Sequence, residues 1–457
     1  MLYSSRFKQT TKGNNMKFTK LSLVAALAMN VAFAGGDIAP VEPVVEAAPV
    51  VSESTISGNI KLFYGTNDAG TNKLFSAGHL RNATNTALGA NVGNSVGDAY
   101  ADIKYSRKVM DNITLNLGMA YLSTLGLEND LVSGTWADHG AANAAAQPGA
   151  TFGSVINGAV SDAAWINEAN VVIGGLPGSS FLKIGRQELD TPFFYSEKWN
   201  IATNTFDAAV AGTNVLPDTT LIAAWVGRGN GAAGSVVALA NTNFGGGHAA
   251  FTAAVKPAYA YAIINKSISD TTLQAWYYEI PSVATAYWLQ ADVGLGEFSL
   301  GGQYAGTKLS VSGVKTSAYA FKLGYADGPL SAHVAYSKRD NKAFGIDISN
   351  IATGHTAGSE SRLYTEAYWN YGFVGAQDAK TIAAGASYDL GMAKLGAQYT
   401  NVSTSLLANA GDMEEFAVTA STKVGPVNAD LAYINAKRNG SAKDNTVLVM
   451  LSMPFSL

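Results

Sequence analysis

The residues that could do chemistry crowd into one stretch, Phe181 to Ala209, reading FLKIGRQELDTPFFYSEKWNIATNTFDAA. Here Arg186, Glu188, Asp190, Glu197, Lys198 and Asp207 alternate with Phe193, Phe194, Tyr195, Trp199 and Phe206, in a chain that is only 14% charged. Three readings compete. Glu188 and Asp190 could be the paired carboxylates of a glycosidase, which needs two such groups on either side of one bond. The same charges could ring the narrow part of a channel and select what permeates. They could also form a solvated turn, since Asp190-Thr191-Pro192 favours a tight bend, Pro fixing φ and Asp bonding nearby amides. In the channel reading Phe193, Phe194 and Trp199 would pack the loop against an inner wall.

Other catalytic constellations are missing. The five histidines, His79, His139, His248, His333 and His355, show no HExxH or other ligand spacing. No GxSxG elbow occurs, so His333 has no assignable serine nucleophile. Gly245-Gly246-Gly247 runs into His248 rather than the lysine of a phosphate loop. Without cysteine there is no thiolate nucleophile, disulfide frame or Cys-ligated zinc. Nothing in the spacing places Glu188 and Asp190 on either side of one site. We therefore expect no enzyme and no cofactor; calcium-binding loops leave no distinctive spacing here.

The elements that carry this stretch must be strands. With 48 Gly, 21 Tyr and 18 Phe among 457 residues, the composition suits many strands and turns and is poor for long helices. A net charge of −4 leaves no basic footprint for nucleic acid. Residues 1–15 read as an upstream extension. Residues 16–34 carry Lys17 and Lys20, an apolar run from Leu21 to Ala28, and small Ala32 and Ala34, the pattern of a signal peptide cleaved after Ala34. In 35–53, Pro40, Pro43 and Pro49 interrupt any helix or ladder, as in a flexible periplasmic linker.

From 54 to 457 the chain alternates with period two. Ile113, Leu115, Leu117, Met119 and Tyr121 share one face of a strand; Tyr319, Phe321, Leu323 and Tyr325 share another. Tight connections, such as 110–112, 327–329, 390–393 and 425–426, take turns with long ones at 67–96, 124–162, 228–257 and 340–379. That alternation belongs to a transmembrane antiparallel β-barrel. The spans are 54–66, 97–108, 112–124, 163–173, 180–187, 203–212, 218–227, 258–268, 271–279, 283–294, 297–306, 316–326, 329–339, 380–390, 393–403, 414–424, 427–438 and 445–456, about 18 strands. An even count keeps both termini on one side, so the strand-like piece Leu363 to Tyr371 is assigned to the 340–379 loop.

Strand parity then sorts the side chains. Lys61, Asp102, Lys104, Lys183, Asp207, Asp292, Lys322, His333, Glu415, Lys423 and Asp430 fall on the inward face, predicting a wet lumen of mixed sign. Tyr64, Tyr105, Tyr121, Tyr304, Tyr325, Tyr336, Tyr388, Tyr399 and Tyr433 fall outward as interfacial girdles. Parity with Lys183 sends Arg186 outward unless the strand has ended or a bulge intervenes. The last strand ends at Leu457 with Phe455 third from last, a departure from the terminal aromatic common in outer-membrane proteins.

The segments GRQELDTPF (185–193), WNIATNTFDAAV (199–210), LPDTTLIAAWVGRG (216–229) and LYTEAYWNYG (363–372), in this order on a barrel pattern, make the chain resemble the Opr family of outer-membrane porins. The resemblance is to the OprD-like group, including major porins of Campylobacter-type bacteria, and covers the signal peptide and essentially the whole mature chain. It implies an 18-stranded barrel with the third loop folded into the lumen, here 188–203, and passive passage of small hydrophilic or charged solutes and ions. It also implies outer-membrane lipid as the surrounding partner. Some members of the family are homotrimers and others monomers.

The expectation is an outer-membrane porin whose constriction is lined by Arg186, Glu188, Asp190, Glu197, Lys198 and Asp207. The alternative is an adhesive or structural surface barrel that meets host or neighbouring cells through loops 67–96, 124–162 and 340–379.

Overall fold

The computed structural model describes residues 54–69, 73–75, 95–123, 125, 127, 162–198, 201–231, 247–352, 359–406 and 411–457. The expected extension, signal peptide and linker, and Trp199, lie outside the described residues. Eighteen strands run in order: β1 (Ser54–Asn67), β2 (Ser95–Met110), β3 (Ile113–Ser123), β4 (Ala163–Leu176), β5 (Ser180–Gln187), β6 (Phe206–Leu216), β7 (Thr219–Gly231), β8 (Gly247–Asn265) and β9 (Thr271–Ile280). They continue as β10 (Ala284–Leu295), β11 (Phe298–Leu309), β12 (Lys315–Asp327), β13 (Leu330–Arg339), β14 (Lys380–Asp389), β15 (Ala393–Ser403), β16 (Met413–Val424), β17 (Val427–Arg438) and β18 (Asp444–Ser456).

Every strand pairs antiparallel with its sequence neighbours, and β1 pairs with β18, so the sheet closes without an edge. Closure satisfies every ladder, which is what allows a barrel to exist in hydrocarbon. At the seam, Gly58 accommodates the Phe455 ring: a Cβ there would stand 2.5 Å from the ring and 2.1 Å from the Asp102 carbonyl oxygen. Tight turns join β2–β3, β12–β13 and β16–β17 at one end; Gly328 (φ 53°) and Gly425 (φ 60°) take the left-handed backbone such turns require. At the other end lie the connections 188–205 and 340–379.

The period-two pattern faces as its chemistry demands. Leu115, Leu117, Met119 and Tyr121 are exposed outward, whereas Ala120 and Leu122 are buried inward. Tyr304, Tyr319, Tyr388, Tyr399 and Tyr433 are likewise exposed on the outer wall. One boundary differs appreciably from the sequence reading: β8 starts at Gly247, not 258, because its ladder with β7 continues through register shifts beyond Val226.

The buried apolar residues lie inside the barrel. One cluster joins Leu189, Phe193 and Phe194 to Trp276, Tyr278 and Trp288 of the wall and to Ile346, Ile348, Ile351 and Leu363. A second joins Ile201 and Ala202 to Tyr100, Trp165, Tyr368 and Trp369. The expected wet lumen is therefore in large part a packed core, since two connections carry apolar side chains into it. The loop 340–379, expected at the cell surface in the adhesive reading, is buried over much of its described length.

Candidate functional site

β5 is only eight residues long, so the chain leaves the wall early and turns into the lumen. Residues 189–196 form a small hairpin. Asp190 and Tyr195 make a β-bridge, Ser196 N donates to Leu189 O at 2.7 Å, and Thr191 N donates to Phe194 O at 3.2 Å. The Thr191 hydroxyl closes the bend by donating to Phe194 O (2.7 Å) and accepting from Phe194 N (3.2 Å). Phe193 then packs edge-on to Tyr278 and Trp288, ring centroids 5.5 and 5.7 Å away. Such pairs add directional attraction to the area they bury.

The 340–379 connection locks onto this hairpin. Ile351 N donates to Phe193 O (2.9 Å), and the Asn350 amide donates to Tyr195 O (2.9 Å) and to a Glu197 carboxyl oxygen (3.0 Å). Arg362 donates to Asp190 at 2.7 Å while its guanidinium stacks on the Tyr195 ring, 3.9 Å from the centroid. The Tyr195 hydroxyl donates to Glu360 O at 2.5 Å. The barrel wall holds the same connection from outside. Tyr364 OH donates to Asp292 (2.5 Å), Gln303 donates to Arg362 O (2.9 Å), and Lys322 sits 4.5 Å over the Tyr364 ring. Glu415 accepts the backbone N–H groups of Tyr368, Trp369 and Asn370 together with the Asn370 amide, at 2.6 to 3.3 Å. All its partners are donors, which suits a carboxylate.

Beside the hairpin a row of four charges stays accessible. Glu188 stands between Lys198 (3.4 Å) and Lys104 (3.8 Å), and Lys104 also meets Glu168 at 3.7 Å. Their side chains are 39%, 68%, 35% and 21% exposed in the order Glu188, Lys198, Lys104, Glu168. Burial pushes the Glu188 carboxyl up, but Lys104 and Lys198 more than reverse this and hold it at about 2. Glu188 in turn raises the Lys198 ammonium. Both groups therefore stay charged across neutral pH.

The six constriction residues read from the sequence separate into three groups. Glu188 and Lys198 belong to the accessible row. Asp190 is clasped by Arg362, and Glu197 is buried at 6% exposure beneath Asn350. Arg186 and Asp207 lie on the outer wall, which corrects the inward assignment of Asp207. Ile184 is exposed outward and Phe206 and Ala208 are buried inward, so alternation sends both residues outward without a break. There Arg186 pairs with Asp207 at 2.8 Å and Arg228 reaches the same carboxylate at 2.6 Å.

The remaining residues assigned to the lumen, Lys61, Asp102, Lys104, Lys183, Asp292, Lys322, His333, Glu415, Lys423 and Asp430, stand on the inner face by the same alternation. They do not share one environment. Asp292 and Glu415 are buried under the infolded connection, Lys61 donates to Ile201 O at 3.1 Å, and Lys423 lies beside the exposed Gly425-Pro426 turn. The sequence reading missed Arg362, Glu360 and Glu366 because 340–379 was set aside as surface loop. It missed Glu168 because a β-bulge opposite Gly118 and Met119 resets the parity of β4. Among the described residues no group of three or more His, Asp or Glu side chains could hold a metal ion.

No family model and no curated protein matches the sequence. Solved structures do match. The outer membrane protein OpdK of Pseudomonas aeruginosa, in a structure with vanillate, superposes with TM-score 0.65 at 13% identity, covering 89% of this chain and 99% of its own. OccK9 (OpdG) of the same organism gives 0.65 at 11%, covering 89% and 99%, and OccK8 (OprE) gives 0.62 at 12%, covering 89% and 98%. The chain has the fold of OpdK. The resemblance to OprD-like porins agrees with these neighbours, all from Pseudomonas aeruginosa; they lend no support to its extension to Campylobacter-type bacteria.

Proposed function

We propose that the chain is an outer-membrane channel for passive diffusion of small hydrophilic or charged solutes, reached after removal of the 16–34 signal peptide. The observation that carries this is the accessible row Lys198–Glu188–Lys104–Glu168 beside an infolded hairpin in a closed barrel. Fixed charges of both signs at close quarters can replace part of a permeating ion's hydration and sort solutes by charge, without any bond being made or broken. The fold, similar to that of OpdK, supports the same reading. Lys104 and Lys198 offer ammonium donors to a passing carboxylate, so small aromatic carboxylates are the first solutes to try; a structure of OpdK carries vanillate.

Planar-bilayer recording of the purified, refolded protein tests the proposal. Discrete conductance steps, with a current reduced by added vanillate, are expected. A correctly folded barrel that passes no ions would end the channel reading. Native mass measurement on the same preparation distinguishes the homotrimer implied by the resemblance from a monomer.

A further inference from the structure

A basic patch lies on the outer wall of four consecutive strands, β11 to β14. On this face Tyr304 pairs with Tyr319 and Tyr336 pairs with Ile382, and the Tyr319 and Tyr336 rings meet at a tilt of 45°, 6.2 Å between centroids. This row marks the upper limit of the outward apolar band, where interfacial aromatics sit. Above it on the same face stand Lys338 and Lys380, two residues on from Tyr336 and Ile382, and Lys308 and Lys315, four residues on from Tyr304 and Tyr319.

The lysines form two direct cross-strand pairs, Lys308 with Lys315 and Lys338 with Lys380. Like charges directly opposite one another destabilise a sheet. Two such pairs on one face, offset by four residues where β12 meets β13, call for an anion. Two acids, Asp340 and Asp378, approach the patch at its Lys338 corner and offset part of the charge there. Asp340 accepts from the Ser317 backbone and hydroxyl (2.9 and 3.2 Å), and Asp378, close enough to feel Lys338, accepts from Ser405 N at 2.7 Å. At the same end of the barrel basic residues of other sectors do have an acid in contact: Lys443 meets Glu414, and Arg186 and Arg228 share Asp207.

Height identifies the anion. At about 3.3 Å per residue and a strand tilt of about 40°, two to four residues raise the ammonium groups' backbone roughly 5–10 Å above the aromatic row. The polar headgroup region of a bilayer occupies about 5–8 Å on each side of the hydrocarbon. We propose that Lys308, Lys315, Lys338 and Lys380 form a docking surface for a phosphate-bearing lipid headgroup at the long-loop side of the membrane, its acyl chains lying against the tyrosine row. The inference rests on the barrel spanning a membrane, the placement contained in the proposed function. A second copy of this chain is disfavoured as occupant, because the patch would meet its own like charge under two-fold symmetry.

The test uses full-length protein in zwitterionic detergent, titrated with diphosphoryl lipid A and followed by native mass spectrometry, with phosphatidylcholine as comparison. Each lysine near an anionic surface contributes roughly fivefold in affinity, so K308Q/K315Q/K338Q/K380Q is expected to lose on the order of a hundredfold or more. The corresponding four Lys→Arg substitutions are expected to retain binding. Equal binding by the Gln variant, equal binding of phosphatidylcholine by the native protein, or self-association through this face in place of lipid binding would each overturn the proposal. Because the lysines point away from the lumen, single-channel conductance of the Gln variant should match the native value. A non-conducting protein that still binds lipid A through these lysines would sink the channel reading and leave this one standing.

Discussion

Glu415→Ala isolates what holds the infolded connection in place. The Glu415 carboxyl is 1% exposed and accepts four N–H donors from residues 368–370. Hydrogen bonds to a charged group are worth about 1.5–3 kcal/mol each, but deleting the carboxylate also removes its own desolvation penalty. Leaving buried N–H donors without an acceptor costs about 1–3 kcal/mol each, so with partial relaxation of the four a net cost of about 3–5 kcal/mol is expected. At about 1.4 kcal/mol per power of ten, the docked state of this segment should lose from about a hundredfold to a few thousandfold in population relative to undocked ones. The barrel ladders do not depend on these bonds, so strand content should persist by circular dichroism. Tryptic cleavage after Arg362, now held half-buried against Tyr195 and Asp190, should accelerate, and single-channel current should rise and become noisy. Glu415→Gln should fare little better, since its amide NH2 would face N–H donors. Unchanged protection of Arg362 together with unchanged current in Glu415→Ala would refute the account of how the lumen is filled.

Glu188→Gln removes the negative member between Lys104 and Lys198 and should move the reversal potential across a salt gradient toward anion preference; Arg186→Ala with Asp207→Ala, on the outer wall, should leave it unmoved. Loop docking should also depend on pH. Burial, reinforced by Glu360, pushes the Glu366 carboxyl up to about 8 when docked, against opposing hydrogen bonds from the Ser361 and Ala367 amides. A group whose acidity is weakened on docking takes up a proton, so its contribution is fully present below the ordinary carboxylate value of about 4.3 and is lost as pH rises through about 8. Open-channel noise should therefore increase from pH 6 to pH 9, and Glu366→Gln should flatten the dependence; a flat profile in the native protein would contradict it.

The wall was legible because a barrel strand has a single repeating rule. Apolar residues at every second position face outward, and unequal connections fix the even count, so β5, β15 and β17 begin and end where the alternation does. The rule failed where the backbone interrupts it. The bulge in β4 turned Glu168 inward, and β6 begins at Phe206 with Asp207 facing out. Neither event has a strong local signal, since a bulge is a property of two strands together.

The connections were legible in chemistry but not in destination. Asp190-Thr191-Pro192 announced a bend, and the aromatics after it announced packing, as the Phe193 contacts with Tyr278 and Trp288 bear out. In 340–379 the same signals were present: Ile346, Ile348, Ile351, Leu363, Tyr364 and Trp369 are too apolar for a segment bathed in water. Their partners are wall residues far away in sequence, with Asp292, Gln303 and Glu415 supplying the acceptors. A buried acid on an inner wall has to be satisfied by donors, and the backbone of nearby strands offers none because its N–H groups belong to ladders. Arg438, inward on the adjacent β17, is held by Asn370 and Asp444, so the inward-facing Glu415 is met instead by the backbone of 368–370, and the apolar connection that carries this backbone fills the lumen.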